Sequence, residues 1–122
     1  MGKKIFILDD EPEICELVSE NLKHLGYEVS SAHRGSDGIR QISTHPFDLI
    51  ILDIHLPDTE GTAVYEQLRR TALHQKTPVI FLTALAQGAQ PILAGIHDAR
   101  YSIMAKPTKL EDLHKEIVRL IG

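Results

Sequence analysis

Asp9, Asp10, Asp53, Thr83 and Lys106 are far apart in the chain, yet each stands at or just beyond the end of a short apolar run. Three carboxylates brought close together resist being charged at once unless a cation joins them. Aspartate oxygens completed by a backbone carbonyl and waters suit Mg²⁺ better than zinc or copper. The region lacks the regularly spaced acids of a twelve-residue calcium loop. Lys106 offers a compact positive charge for Asp53 and for phosphoryl oxygens, and Thr83 offers a hydroxyl donor. These groups fit phosphoryl transfer onto a carboxylate, with Asp53 as nucleophile and an aspartyl phosphate as product. A carboxylate is already ionised at neutral pH, so the step needs no general base. The seven histidines include no H-x-x-x-H ligand pair. Taken singly, each residue also has a plain structural reading: Asp9, Asp10 and Glu11 as caps of a following helix, Asp53 as a turn residue, Lys106 as surface charge.

Placing five such residues together requires strands that end at one edge. Lys4 to Leu8 reads as a strand, followed by Pro12 at a helix start and by Ile14, Val18, Leu22 and Leu25 at helical spacing up to Gly26. Residues 27–32 read as a second strand and 36–45 as a second helix with Ile39 and Ile42 inward. Residues 47–52 form an almost unbroken apolar run, as expected of a strand covered on both faces, with Asp53 at its end. After Pro57, Asp58 and Gly61 in a loop, Val64, Tyr65 and Leu68 mark a third helix ending near Ala72. Strands are expected at 79–82 and 102–105, with a weaker helix at 90–98 between them, and Leu110, Leu113, Ile117 and Leu120 stripe a last helix that Thr108 would cap. Five strands alternating with five helices predict an α/β fold: a doubly wound five-stranded parallel sheet with helices on both faces, whose ligands gather at the carboxyl ends of the strands.

Composition narrows the functions. A length of 122 residues with 43% hydrophobic content matches one domain over 1–122, and a net charge of −4 without a basic block gives direct nucleic-acid binding no support. Cys15 is the only cysteine, which excludes an internal disulfide and is expected to act as a small buried hydrophobe. The Met-Gly-Lys-Lys start and its short apolar run are too brief for a signal peptide or membrane span, so cytoplasm is the expected compartment and no membrane partner is expected.

With Ile7-Leu8-Asp9-Asp10-Glu11, Leu52-Asp53, Leu56-Pro57, Gly61, Thr83-Ala84 and Lys106-Pro107 in this order, the chain resembles the receiver domain of two-component response regulators over essentially its whole length. The resemblance implies a receiver (flavodoxin-like) fold, Mg²⁺-dependent acceptance of phosphate from a histidine kinase or histidine phosphotransfer protein, and a change of partner affinity afterwards. It also allows a homodimer through the last strand and its flanking helices. By that likeness Asp53 is the acceptor, attended by Thr83 and Lys106. Asp10 ligates the metal directly, Asp9 acts mainly through water, and the main-chain carbonyl of His55 completes the metal shell. Ile103 departs from the pattern, because receivers usually carry an aromatic residue three positions before the lysine. Tyr101 stands two positions earlier, on the same face of a regular strand but about 6.6 Å further back. A phosphoester hydrolase is the weaker alternative: the residue two beyond Asp53 is His55 rather than a second acid, and the chain has no room for a substrate cap. A scaffold that is never phosphorylated would have no use for the acidic cluster.

Overall fold

The computed structural model describes residues 2–83, 101–106 and 108–122, with Thr83 described by its backbone alone. The expected helix at 90–98, Pro107 and the Thr83 side chain lie outside the described residues. Five strands, β1 (Lys4–Leu8), β2 (Glu28–Ala32), β3 (Leu49–Leu52), β4 (Val79–Thr83) and β5 (Tyr101–Ala105), form one parallel sheet of order β2-β1-β3-β4-β5. Among the described residues four α-helices accompany them: α1 (Pro12–His24), α2 (Gly35–Thr44), α3 (Gly61–Arg70) and α4 (Leu110–Ile121). A 3-10 turn, Ala72–His74, follows α3.

The sheet is apolar on both sides because strand residues alternate between two cores. Phe6, Leu8, Ile50, Leu52, Val79 and Phe81 pack against Ile42 of α2 and Val64, Tyr65 and Leu68 of α3. Ile5, Ile7, Leu49, Ile51, Ile80 and Leu82 pack against Cys15 and Leu22 of α1 and Leu113 and Ile117 of α4. All four residues of β3 are buried, as its unbroken apolar run requires. The chain reverses its winding between β1 and β3, and their ends are in register, Leu8 opposite Leu52. That switch point therefore holds Asp9 beside Asp53, whose N–H donates to the Leu8 carbonyl at 2.9 Å.

Two local expectations need correction. Leu25 is not on the inner face of α1: it is 45% exposed, because the helix ends at His24 and Leu25 becomes its C-cap. Gly26 then takes φ 99°, its N–H donating to the Lys23 carbonyl and that of Tyr27 to the Leu22 carbonyl, so the glycine's freedom at positive φ closes the helix. Leu22 is fully buried as expected and Val18 packs partly buried against the same core, while Cys15 and Ser19 are the further buried positions of α1. Thr108 does not cap α4; Lys109 holds the N-cap position and makes no side-chain cap bond. Strand and helix limits otherwise move by one or two residues, as helix and strand ends commonly do.

Candidate metal and phosphoryl site

Asp9 and Asp53 are held in the same manner. Each carboxylate accepts from the amide two residues on, Asp9 Oδ1 from Glu11 N–H at 2.9 Å and Asp53 Oδ1 from His55 N–H at 3.3 Å. Such Asx turns follow from a short acidic side chain at the point where a strand gives way to a loop. Each then turns its Oδ2 to the same ammonium: Lys106 Nζ lies 2.7 Å from Asp9 and 3.1 Å from Asp53. Glu11 Oε1 is a third partner at 3.0 Å. Asp9 and Asp53 are only 2% and 6% exposed, so these charges are removed from water and depend on one another.

The electrostatics follow from this burial. Burial works against the Lys106 charge, but the carboxylates of Asp9, Glu11 and Asp53 outweigh it and raise the lysine pKa above its ordinary value. Burial pushes the Asp53 carboxyl up, the Lys106 ammonium opposes that shift, and the Asp9 charge adds to it. Asp9, Asp10, Glu11 and Asp53 present carboxylate oxygens within 4.8 Å of one another. One ammonium against four carboxylates leaves a formal surplus of three negative charges. The donors are all hard oxygens, a set that suits a cation such as Mg²⁺ and can hold a metal ion.

The structure thus brings together Asp9, Asp10, Asp53 and Lys106, which the sequence separates by up to 97 positions. Thr83 ends β4 opposite Ala105, placing its backbone one pair from Lys106 at the same edge of the sheet. His55 follows Asp53 closely, but its ring is turned away to Glu60, Nδ1 to Oε2 at 3.1 Å. Ile103 lies opposite Phe81 on β5, and Tyr101 opposite Val79 on the same face. The Tyr101 ring meets those of Phe81 and Tyr65 edge-on, with centroids 5.7 and 6.1 Å apart. Glu11 was readable only as a helix-end acid, yet its side chain makes no cap and instead reaches Lys106. The acidic Asp-Asp-Glu run was the available signal; the partner, 95 residues away, was not.

A doubly wound sheet carrying an acidic, metal-competent cluster and a buried lysine across its switch point defines a phosphoacceptor receiver domain. The family model for the response regulator receiver domain matches residues 5–118, and the chain belongs to that family. Curated relatives include the transcriptional regulatory protein CrdR of Helicobacter pylori, 34% identical over all of this chain and 56% of its own length. Another is the alkaline phosphatase synthesis transcriptional regulatory protein PhoP of Bacillus subtilis, 32% identical over 99% of this chain and 49% of its own. The chain therefore spans about half the length of these relatives. The receiver domain of a sensor histidine kinase from Pseudomonas aeruginosa PAO1, with a magnesium ion in its active-site cleft, matches with a TM-score of 0.89 and 29% identity, covering 100% of this chain and 99% of that one. The response regulator TrrA of Thermotoga maritima, in complex with Mg²⁺ and BeF, matches at 0.81 and 29% identity, covering 97% and 98%. Receivers are signalling domains rather than metabolic enzymes, and typically partner histidine kinases or phosphotransfer proteins. Among the described residues no helix is long and apolar enough to cross a membrane.

Proposed function

We propose that this chain, acting in the cytoplasm, takes a phosphoryl group onto Asp53 from the phosphohistidine of a histidine kinase or histidine phosphotransfer protein and thereby changes its affinity for partners. The observation that carries this reading is the Lys106 ammonium, 7% exposed, bridging Asp53 and Asp9 in a cluster with excess negative charge. An Asp53 oxygen attacks phosphorus in line with the departing imidazole. A P–O bond forms, the P–N bond breaks, and the imidazole nitrogen leaves with the electron pair and is later protonated. Lys106 pairs with the phosphoryl oxygens as charge accumulates on them, and the Thr83 hydroxyl donates to the transferred group. Asp9, Asp10 and the main-chain carbonyl of His55, together with Asp53, would hold Mg²⁺, which when bound supplies further neutralisation of those oxygens.

Acetyl phosphate with Mg²⁺ should add one labile phosphoryl group visible by intact mass, and Asp53→Asn should abolish it. Folded protein that binds Mg²⁺ but takes up no phosphoryl group under these conditions would refute the reading.

A further inference from the structure

The two loops that flank the acidic cluster are tied to one short piece of chain, the connection from β2 to α2. On one side Ala32 and His33 grip the main chain of Asp9. The Asp9 N–H donates to the Ala32 carbonyl at 3.2 Å, and His33 Nδ1–H donates to the Asp9 carbonyl at 3.0 Å. On the other side, three residues further on, Gly35 and Ser36 begin α2. Their amides donate to Asp58, at 2.7 Å to Oδ1 and 3.0 Å to Oδ2. Arg34, at the N-cap position of α2, makes no side-chain cap, so the helix takes its cap from the tip of the loop that follows Asp53.

That loop is closed on itself. Its base is joined by the Gly61 N–H to the Ile54 carbonyl and by a bridge between His55 and Glu60, and Leu56 N–H donates to the Thr59 carbonyl at 3.1 Å. A Cβ at Gly61 would collide with the Asp53 carbonyl, so the base admits only glycine without movement of the Asp53 backbone. A Cβ at Gly35 would strike Thr59, which shows how closely the loop tip lies on α2. The loop therefore behaves as one piece running from Asp53 and His55 to Asp58, anchored at its far end.

We infer that Asp58 is a positioning residue for the divalent-cation site: by capping α2 it fixes the loop bearing Asp53 and His55 to the same β2–α2 connection that fixes Asp9. The inference rests on the proposed function and adds a residue to it. Asp58 touches neither the metal nor the phosphoryl group; it sets the spacing of the groups that do. Its carboxyl pKa is lowered by the amides of Gly35 and Ser36, which agrees with a charged cap at neutral pH.

Outer residues that orient ligands typically change metal affinity by 10–100-fold, and the exposed position of Asp58 points to the lower end, roughly 10-fold. Isothermal titration with MgCl₂ should show Asp58→Ala weakened by about that factor. Its phosphorylation by acetyl phosphate should need correspondingly more Mg²⁺ while reaching a similar rate at saturation. Asp58→Asn keeps an oxygen for the Gly35 amide and should recover most of the affinity, which also covers the case of a poorly folding alanine variant. In metal-free protein, amide exchange at Gly35, Ser36 and His55 should be faster in Asp58→Ala than in wild type. An alanine variant that melts earlier but keeps wild-type Mg²⁺ affinity and His55 exchange overturns the inference and leaves the proposed function intact. Wild-type protein that neither binds Mg²⁺ nor is phosphorylated on Asp53 removes the proposed function and takes this inference with it.

Discussion

Lys106→Met keeps an unbranched stem of similar length and removes only the charge. In the native chain that charge serves Asp9, Glu11 and Asp53 at 2.7, 3.0 and 3.1 Å. Glu11 is exposed and loses little, but Asp9 and Asp53 are buried and become carboxylates without a cation. Breaking a buried pair by deleting one partner costs about 3–5 kcal/mol. At roughly 4 °C per kcal/mol for a chain of this size, Tm in EDTA should fall by about 12–20 °C. Magnesium should then return more to the variant than to wild type, because the variant's cluster carries one more uncompensated negative charge. A ligand at 100 times its Kd adds about 2.7 kcal/mol to the state that binds it, and the variant's lower Kd would enlarge this term at fixed Mg²⁺. Thermal melts by circular dichroism in EDTA and across a Mg²⁺ series measure both quantities. Phosphorylation should nonetheless slow by about 100-fold even at saturating Mg²⁺, since a preplaced donor to the phosphoryl oxygens is gone. A variant as stable as wild type in EDTA, gaining no more from Mg²⁺, would refute the view that Lys106 balances these buried charges.

Three other outcomes are expected. His74 is fully buried, its Nε2–H donating to the His45 carbonyl at 2.9 Å and its Nδ1 accepting from the Thr77 hydroxyl at 2.8 Å, and burial lowers its pKa below 6.5. The unfolded chain thus takes its proton first as pH falls, so this stability is full above about pH 6.5 and declines below it by up to about 1.4 kcal/mol per pH unit; His74→Gln should flatten that slope in denaturant titrations, and an unchanged slope would rule His74 out as its source. Tyr101→Ala should cost about 2–4 kcal/mol through lost ring packing on Tyr65 and Phe81. In backbone-resolved spectra phosphorylation should shift Asp53 and Thr83 strongly and Ile103 weakly; a large phosphate-dependent swing of Tyr101, lost along with the distal response in Tyr101→Ala, would show that its ring does the coupling after all.

Much of the architecture is legible because strands buried on both faces leave little freedom in composition. Leu49–Leu52 has no polar residue to contradict its place at the sheet centre, and strands ending in Asp9, Asp53, Thr83 and Lys106 align those residues at one edge once the sheet is parallel. What escaped is nonlocal or polar. Ser19 occupies an inward position of α1 that no hydrophobic pattern would assign to a serine. Asp58 reads as an ordinary turn residue, and its role depends on amides 22 and 23 positions earlier. Thr108 had the right chemistry for a cap, but the chain enters α4 through Lys109 instead. Local pattern records what a residue prefers; it does not record which distant group has already met the need.

The place of β5 in the sheet has a consequence for how a modification is felt. Asp53 extends from β3, the central strand, walled by β1 and β4, whereas Lys106 extends from β5, which among the described residues is an edge strand paired with β4 alone and nowhere fully buried. Segments with one neighbour open locally at lower free energy than segments with two. The ion pair between Lys106 and Asp53 is thus a tether from the most protected part of the fold to one of its least protected strands. A phosphoryl group on Asp53, as proposed, would offer the same lysine more oxygens to hold and so add to what keeps the edge strand in place. On that reading the edge strand would open less often, and a binding partner that reads the β5 surface would meet a change in how frequently that surface is formed as much as a change in its shape.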